Sequence, residues 1–335
     1  MIPNFRSILS KLFRCASTDT QPRARHKVRM ASRITLWIGL LLLAGTGIAY
    51  AQSDLNLKGT IDFRVHSNPE AVPRSIDADD VARLAKENGM RALVLCSHSE
   101  STAALAYIVR KQVPGIDVFG GIMLNRSVGG LNIDAVQRML LMKGGYGRVV
   151  WFPTSDAEHF YSILKLKGQG VPVSRDGHLV PAAVEMIDLI AKNPQLVLAT
   201  GHISAEEILL VVHEAHMRGV KNIVVNNPLG IFARMTVAQM RQAIADGAYL
   251  EFVYNSVIGD KPQNNIHEYA EGIKQAGPQH SILGTDFGAT EVPNLPFHPQ
   301  ALLEFMEALH KEGISMADIN IMAKTNPARI LGLEP

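Results

Sequence analysis

Four residues at the ends of short apolar runs could carry chemistry in this chain: His66, His98, His202 and Asp286. They close the runs "TIDFRVHS" (60–67), "ALVLCSH" (92–98), "LVLATGHI" (196–203) and "SILGTDFG" (281–288). Four further runs end in Asn125, Thr154, Asn227 and Asn255. Neutral imidazole beside carboxylate is a ligand set for zinc or manganese. An aspartate such as Asp286 can also take the proton from an attacking water. The plainer reading of His202 and Asp286 is that each hydrogen-bonds loop backbone. His98 and Glu251 could supply a ligand or touch substrate, or be satisfied polar groups at a rim.

The elements that must position these residues follow from the spacing. Eight apolar runs, each followed by a segment of helical periodicity, predict an α/β fold, a (β/α)8 TIM barrel. In that fold the active site lies where the strands end. Alternation in "TIDFRVHS" predicts Asp62, Arg64 and His66 facing the barrel interior, with Ile61, Phe63 and Val65 packed on helices. A pair of histidines at the mouth of strand one would be a metal site, but here one member is Arg64. Helix signals agree: Asp77 as a capping residue before "ADDVARLAKENG", Pro181 at a first turn, and Ser204 with Glu207 as a capping box. The connection after strand four, residues 155–180, is long, and Asp176-Gly177 in it reads as a hairpin turn. That insertion after strand 4 follows a strand end, so it is a candidate lid or substrate wall.

Composition bounds the rest. Residues 1–51 hold 8 of the 33 Lys and Arg and 1 of the 31 acids, leaving 25 basic and 30 acidic residues, a net of −5. The basic balance of the whole chain therefore belongs to its start, and an acidic remainder argues against nucleic acid as a partner. The succession of basic residues, the apolar run 36–51 and Ala49-Tyr50-Ala51 predicts a signal peptide over 1–51, cut after Ala51. Met30 would open a leader of ordinary length. The expectation is a periplasmic or secreted protein, free of the membrane after cleavage, with residues 52–335 as one barrel domain. Cys96 is then the one cysteine left, inside a strand and packed. His213 and His216 lie late in a helix that returns to the far face, and two residues between them is not the H-E-x-x-H spacing. His267, His280 and His310 are set aside on the same ground, and His159 is read as a solvated loop histidine within reach of the site.

Taken in order, these motifs resemble the amidohydrolase superfamily of metal-dependent hydrolases, nearest a poorly characterised amidohydrolase-like branch. "GTIDFRVHSNPE" is similar to that group's opening strand, usually Asp-x-His-x-His. "ATGHIS" resembles its fifth-strand histidine, "VVNNP" its sixth-strand segment, "GTDFG" its eighth-strand aspartate, and "TNPARILGL" (325–333) its closing helix. The resemblance spans about residues 58–333. It implies a divalent metal, Zn or Mn, on His66, His202 and Asp286. Asp286 would also accept the water proton, with His98 as a second catalytic candidate. Arg64 stands where the first histidine would be, and Asn227 where a sixth-strand histidine often stands; both depart from the full ligand set. Arg64, Glu251 and Asn227 would then bind a small acidic or carbonyl-containing substrate. The alternative is a metal-depleted barrel that binds a small acidic ligand without hydrolysis, or does metal-free acid/base work.

Overall fold

The computed structural model describes residues 55–259, 262–288 and 299–334. The expected leader and its cleavage site lie outside these residues. Eight strands run in parallel: β1 (Ile61–His66), β2 (Ala92–Cys96), β3 (Asp117–Met123), β4 (Gly147–Trp151), β5 (Val197–Ala199), β6 (Asn222–Asn226), β7 (Ala248–Val253) and β8 (Ser281–Gly284). Each pairs with its neighbour in chain order. β1 and the end of β8 close the ring through Asp286 N donating to Arg64 O at 3.0 Å and His66 N to Phe287 O at 2.8 Å. This is the (β/α)8 barrel expected from the runs.

Helices follow the strands. They include α1 (Ala78–Glu87), α2 (Ala103–Gln112), α3 (Ile133–Leu140), α4 (Glu158–Leu164), α5 (Pro181–Ala191), α6 (Ala205–Met217), α7 (Val237–Ala245), α8 (Ile266–Ala276) and α9 (Gln300–Lys311). Ser204 and Glu207 form the expected capping box, and Pro181 opens α5. Asp77 precedes α1, but its side chain makes no capping hydrogen bond. In the connection after β4, Ser174–Arg175 and His178–Leu179 pair antiparallel. Between them Asp176 and Gly177 both have positive φ, 50° and 78°, the backbone that a two-residue hairpin turn requires. Among the described residues no helix is long and apolar enough to cross a membrane.

Two apolar layers hold the barrel. Val65, Leu93, Leu95, Ile122, Leu198 and Phe252 pack outward against the helices. Phe119, Met123, Val149, Trp151, Val197 and Ala199 fill the interior, and Ile330 and Leu331 from the C-terminal segment join them. Strict alternation in β1 does not hold. Ile61 and Phe63 belong to the interior group, not to the helix layer. The reason is a bulge: Asp62 pairs with Leu93, but Val65 pairs with Leu95, so β1 carries one extra residue. Arg64 and His66 still point inward, while Asp62 braces the seam, accepting from Thr285 N at 3.0 Å and Thr285 Oγ1 at 2.6 Å.

Candidate active site

At the C-terminal mouth, β1 and β8 bring three charged groups together. Arg64 Nε lies 3.3 Å from Asp286 Oδ1, and His66 Nε2 lies 3.3 Å from the same oxygen. Arg64 Nη2 also lies 3.5 Å from Glu251 Oε2 on β7. Arg64 is 2% exposed and Glu251 fully buried, whereas Asp286 keeps 21% of its side-chain exposure. Asp286 is therefore the member that a ligand can reach. It sits at φ 56°, left-handed backbone that aspartate tolerates better than most residues. Gly288 shapes the same turn: a Cβ there would stand 2.0 Å from the His66 carbonyl oxygen.

The three rings of His66, His98 and His202 line the mouth. His66 and His98 stack at 4.9 Å between centroids, and His98 and His202 are 6.0 Å apart. His98 is fixed by its Nδ1 at 2.8 Å from Thr154 Oγ1. Asn125 Nδ2 holds Thr154 Oγ1 and the His98 carbonyl, at 2.8 and 2.9 Å. His202 packs on Phe232 at 4.8 Å and Phe160 at 5.7 Å. Behind His66, Glu70 Oε2 is 3.7 Å from Nδ1, too far for a hydrogen bond, and pairs with Arg74. Glu70 Oε1 accepts from His98 N at 2.9 Å.

The electrostatics separate these groups into charged and neutral sets. Burial opposes the charge on Arg64, but Asp286 and Glu251 outweigh it and raise its affinity for the proton. Burial likewise opposes charge on His66; Cys96, Asp286 and Glu70 reverse that and hold it well above the usual imidazole range. Asp286 is pushed up by burial and, more strongly, down by Arg64 and His66, so it stays ionised. Burial raises the Glu251 carboxyl despite Arg64 and Asn226. His202 falls to about 3, from burial first and the Arg64 and His66 charges after it. His98 falls well below its ordinary value, from burial first and the His66 charge after it. The mouth thus carries a protonated His66 beside two neutral imidazoles.

As arranged, these side chains do not fit a divalent ion. Asp286 Oδ1 already faces both Arg64 and His66. The Arg64 guanidinium offers no lone pair, and its charge lies against the one carboxylate a metal would need. Among the described residues no three His, Cys, Asp or Glu side chains converge closely enough to hold a metal. His202 remains the donor with a free ring nitrogen, since its buried Nδ1 has no partner.

A family model, DUF6282, described as a family of unknown function, matches residues 59–251. That is more than half of the chain. The chain belongs to DUF6282. The stretch that defines DUF6282 here runs from the start of β1 to Glu251 and so contains Arg64, His66, His98 and His202; Asp286 lies beyond it. No curated protein matches. Among solved structures, the organophosphorus hydrolase from Deinococcus radiodurans is similar at 14% identity and a TM-score of 0.57, over 82% of this chain and 92% of that one. A Pseudomonas putida protein assigned as a 2-pyrone-4,6-dicarboxylic acid hydrolase is similar at 15% identity and a TM-score of 0.54, over 84% and 100%. At these identities the likeness is one of fold.

Within this DUF6282 barrel, His66, His98, His202 and Asp286 lie at one mouth, as their strand ends predict, and Arg64 and Glu251 reach it from within their strands. Asn227 does not join them. Its Nδ2 donates to Ser256 Oγ at 2.8 Å, and its Oδ1 accepts from Tyr269 OH at 2.6 Å. At φ 45° it has already left the strand. Asn226, one residue earlier, faces inward and donates to Glu251 Oε2 at 2.7 Å. The inward position of Val224 two residues before is the signal that would have found it. Glu70, Arg74, Phe160 and Phe232 come from loops or helices and had no sequence signal. His159 is not a solvated loop residue: on α4, its Nε2 lies 2.8 Å from Phe232 O. His213 and His267 are exposed on helices, paired with Asp246 and Glu312. Beside the mouth, Arg126, Gly130, Gln169, Val171 and Val180 line a groove of about 800 Å³ that none of the charged cluster enters.

Proposed function

We propose that the protein is a hydrolase of a small acidic, carbonyl-containing molecule, working through its own acid and base groups. One observation carries this: Arg64 and His66 both face the partly exposed Asp286 Oδ1 at 3.3 Å. A substrate carboxylate entering the mouth competes with Asp286 for Arg64. Once Arg64 turns to substrate, Asp286 loses its strongest restraint and becomes basic enough to take a proton from water. His66, already protonated, donates toward the carbonyl oxygen on which charge develops. His98, fixed by Thr154, stays neutral and adds no competing charge. Glu251 anchors Arg64 from below, so the guanidinium turns without leaving its pocket.

The Pseudomonas putida neighbour is named for a cyclic dicarboxylic acid, chemistry that Arg64 and His66 would accept here too. A panel of carboxylated and uncarboxylated lactones, assayed with and without a chelator, tests the reading. We expect turnover of carboxylated members alone, unaffected by chelation. Asp286→Asn should lower it by about 10²–10⁴-fold. Turnover of neutral lactones at equal rates would refute it.

A second reading keeps zinc or manganese on His66, His202 and Asp286, favoured by the unpartnered Nδ1 of His202. It requires Arg64 to leave Asp286, and loss of activity on chelation would support it. Export belongs to the proposal as well: cleavage after Ala51 to a periplasmic or secreted form. Intact mass of the natural product, starting at Gln52, is its test.

A further inference from the structure

Trp151 is the last residue of β4 and fully buried. Its indole lies in the interior group with Phe119, Met123 and Ala199. The neighbouring strand makes room for it: a Cβ at Gly121 would meet the ring at 2.4 Å. Across the barrel, β8 presents Gly284, which brings no side chain toward the centre. For all this fit, the indole Nε1 has no hydrogen-bond partner.

It is not alone. Seven buried side-chain nitrogen or oxygen atoms among the described residues make no hydrogen bond, although one of them, Arg64 Nε, stands in the 3.3 Å ion pair with Asp286. Five of them are Arg64 Nε, His66 Nδ1, Trp151 Nε1, His202 Nδ1 and Glu251 Oε1. All five belong to β1, β4, β7 or the end of β5, and Trp151 is the member outside the charged cluster. Buried polar groups are almost always satisfied, so a concentration of orphans marks a place where something binds. Four of the five are nitrogens. Arg64 Nε and Trp151 Nε1 can only donate. The missing partner is therefore rich in acceptor oxygens.

Trp151 also stands next to the groups that hold the rings. Its register partner on β3 is Met123, whose Sδ lies 3.5 Å from Thr154 Oγ1. Thr154 in turn holds His98. On the other side its partner is Ala199, three residues before His202. Trp151 is thus flanked in the sheet by Met123, which touches the residue holding His98, and by the strand that leads to His202.

We propose that Trp151 is a substrate-binding residue whose indole N–H takes an oxygen of the anion that Arg64 engages. The inference rests on the anionic-substrate reading above and adds the residue that fixes the anion's depth. The chain has two tryptophans, Trp37 and Trp151, so the full chain carrying Trp37→Phe reports Trp151 alone. The probe is isophthalate, with isophthalamide as its uncharged counterpart. Calorimetry measures binding, and the indole N–H resonance of ¹⁵N-labelled protein measures its hydrogen bonding.

We expect isophthalate to bind and to move that resonance downfield. Trp151→Phe, which keeps a ring and removes the donor, should weaken isophthalate about tenfold, the loss of one hydrogen bond to a charged group. Isophthalate that binds with the resonance unmoved, or equally well to Trp151→Phe, overturns the role of Trp151 and leaves the anionic-substrate reading standing. Isophthalate that does not bind at all, or isophthalamide that binds as tightly, overturns both. If Trp151→Phe fails to fold, the resonance of the parent decides.

Discussion

Replacing Arg64 with methionine removes the one cation that faces both Glu251 and Asp286. At 3.5 and 3.3 Å, each pair is worth about 5 kcal/mol at an effective dielectric of ~20. Most of that offsets the desolvation of the ions, so the net contribution of the triad is small. Removing one partner is different, because the carboxylates stay buried. The expected loss is about 3–5 kcal/mol at pH 8. Asp286 keeps His66, but Glu251 keeps only Asn226. Its carboxyl, already raised by burial, rises further and holds a proton in the folded state that the unfolded chain has lost. A raised folded pKa means stability present below the unfolded value near 4.5 and lost as pH rises toward the folded one. Moving from pH 8 to 5.5 should therefore recover up to about 3 kcal/mol in the variant. Urea unfolding followed by circular dichroism at the two pH values, at unchanged m-value, gives both numbers. Adding Glu251→Gln should restore most of the stability. A variant within about 1 kcal/mol of the parent at pH 8, or one with the parent's pH slope, would refute the buried triad.

Arg64→His should raise zinc or manganese content after dialysis, read by elemental analysis, because it removes a positive charge and adds a lone pair beside Asp286; unchanged metal would show that Arg64 does not govern the site. Stability should fall as pH drops from 6.5 toward 3, since folded His202, at about 3, resists a proton that the unfolded chain accepts. That slope amounts to about 5 kcal/mol over the window. His66, raised, contributes a constant over the same range, while His98, lowered like His202, adds a fall of its own, so His202→Phe should make the acid limb shallower in urea titrations without abolishing it, and an unaltered limb would count against it. Gly288→Ala should cost more than about 2 kcal/mol in thermal unfolding, because φ is 118° and its Cβ meets the His66 carbonyl; a neutral substitution there would contradict the turn.

The runs of β-branched and aromatic residues, closed by Gly, Pro and Asn, made the eight strands and their order legible from the chain alone. So was the mouth that gathers His66, His98, His202 and Asp286, because a strand end in this fold has one possible address. These are local properties: period, punctuation and residue type. The tertiary structure decided what pairing between strands controls. The bulge in β1 arises from its register against β2, and it carried Ile61 and Phe63 inward against their alternation. Asn226 took the inward position and Asn227 turned away, because β6 ends at Asn226, one residue before Asn227. Arg64, Glu251 and Asp286 are separated by hundreds of residues, or tens at the least, and nothing local announces that they share one charge balance. Barrel closure brings them within 3.5 Å of one another's partners. Burial and the distances between charges, both set by the closed barrel, fix which of these groups is ionised and which is free to react.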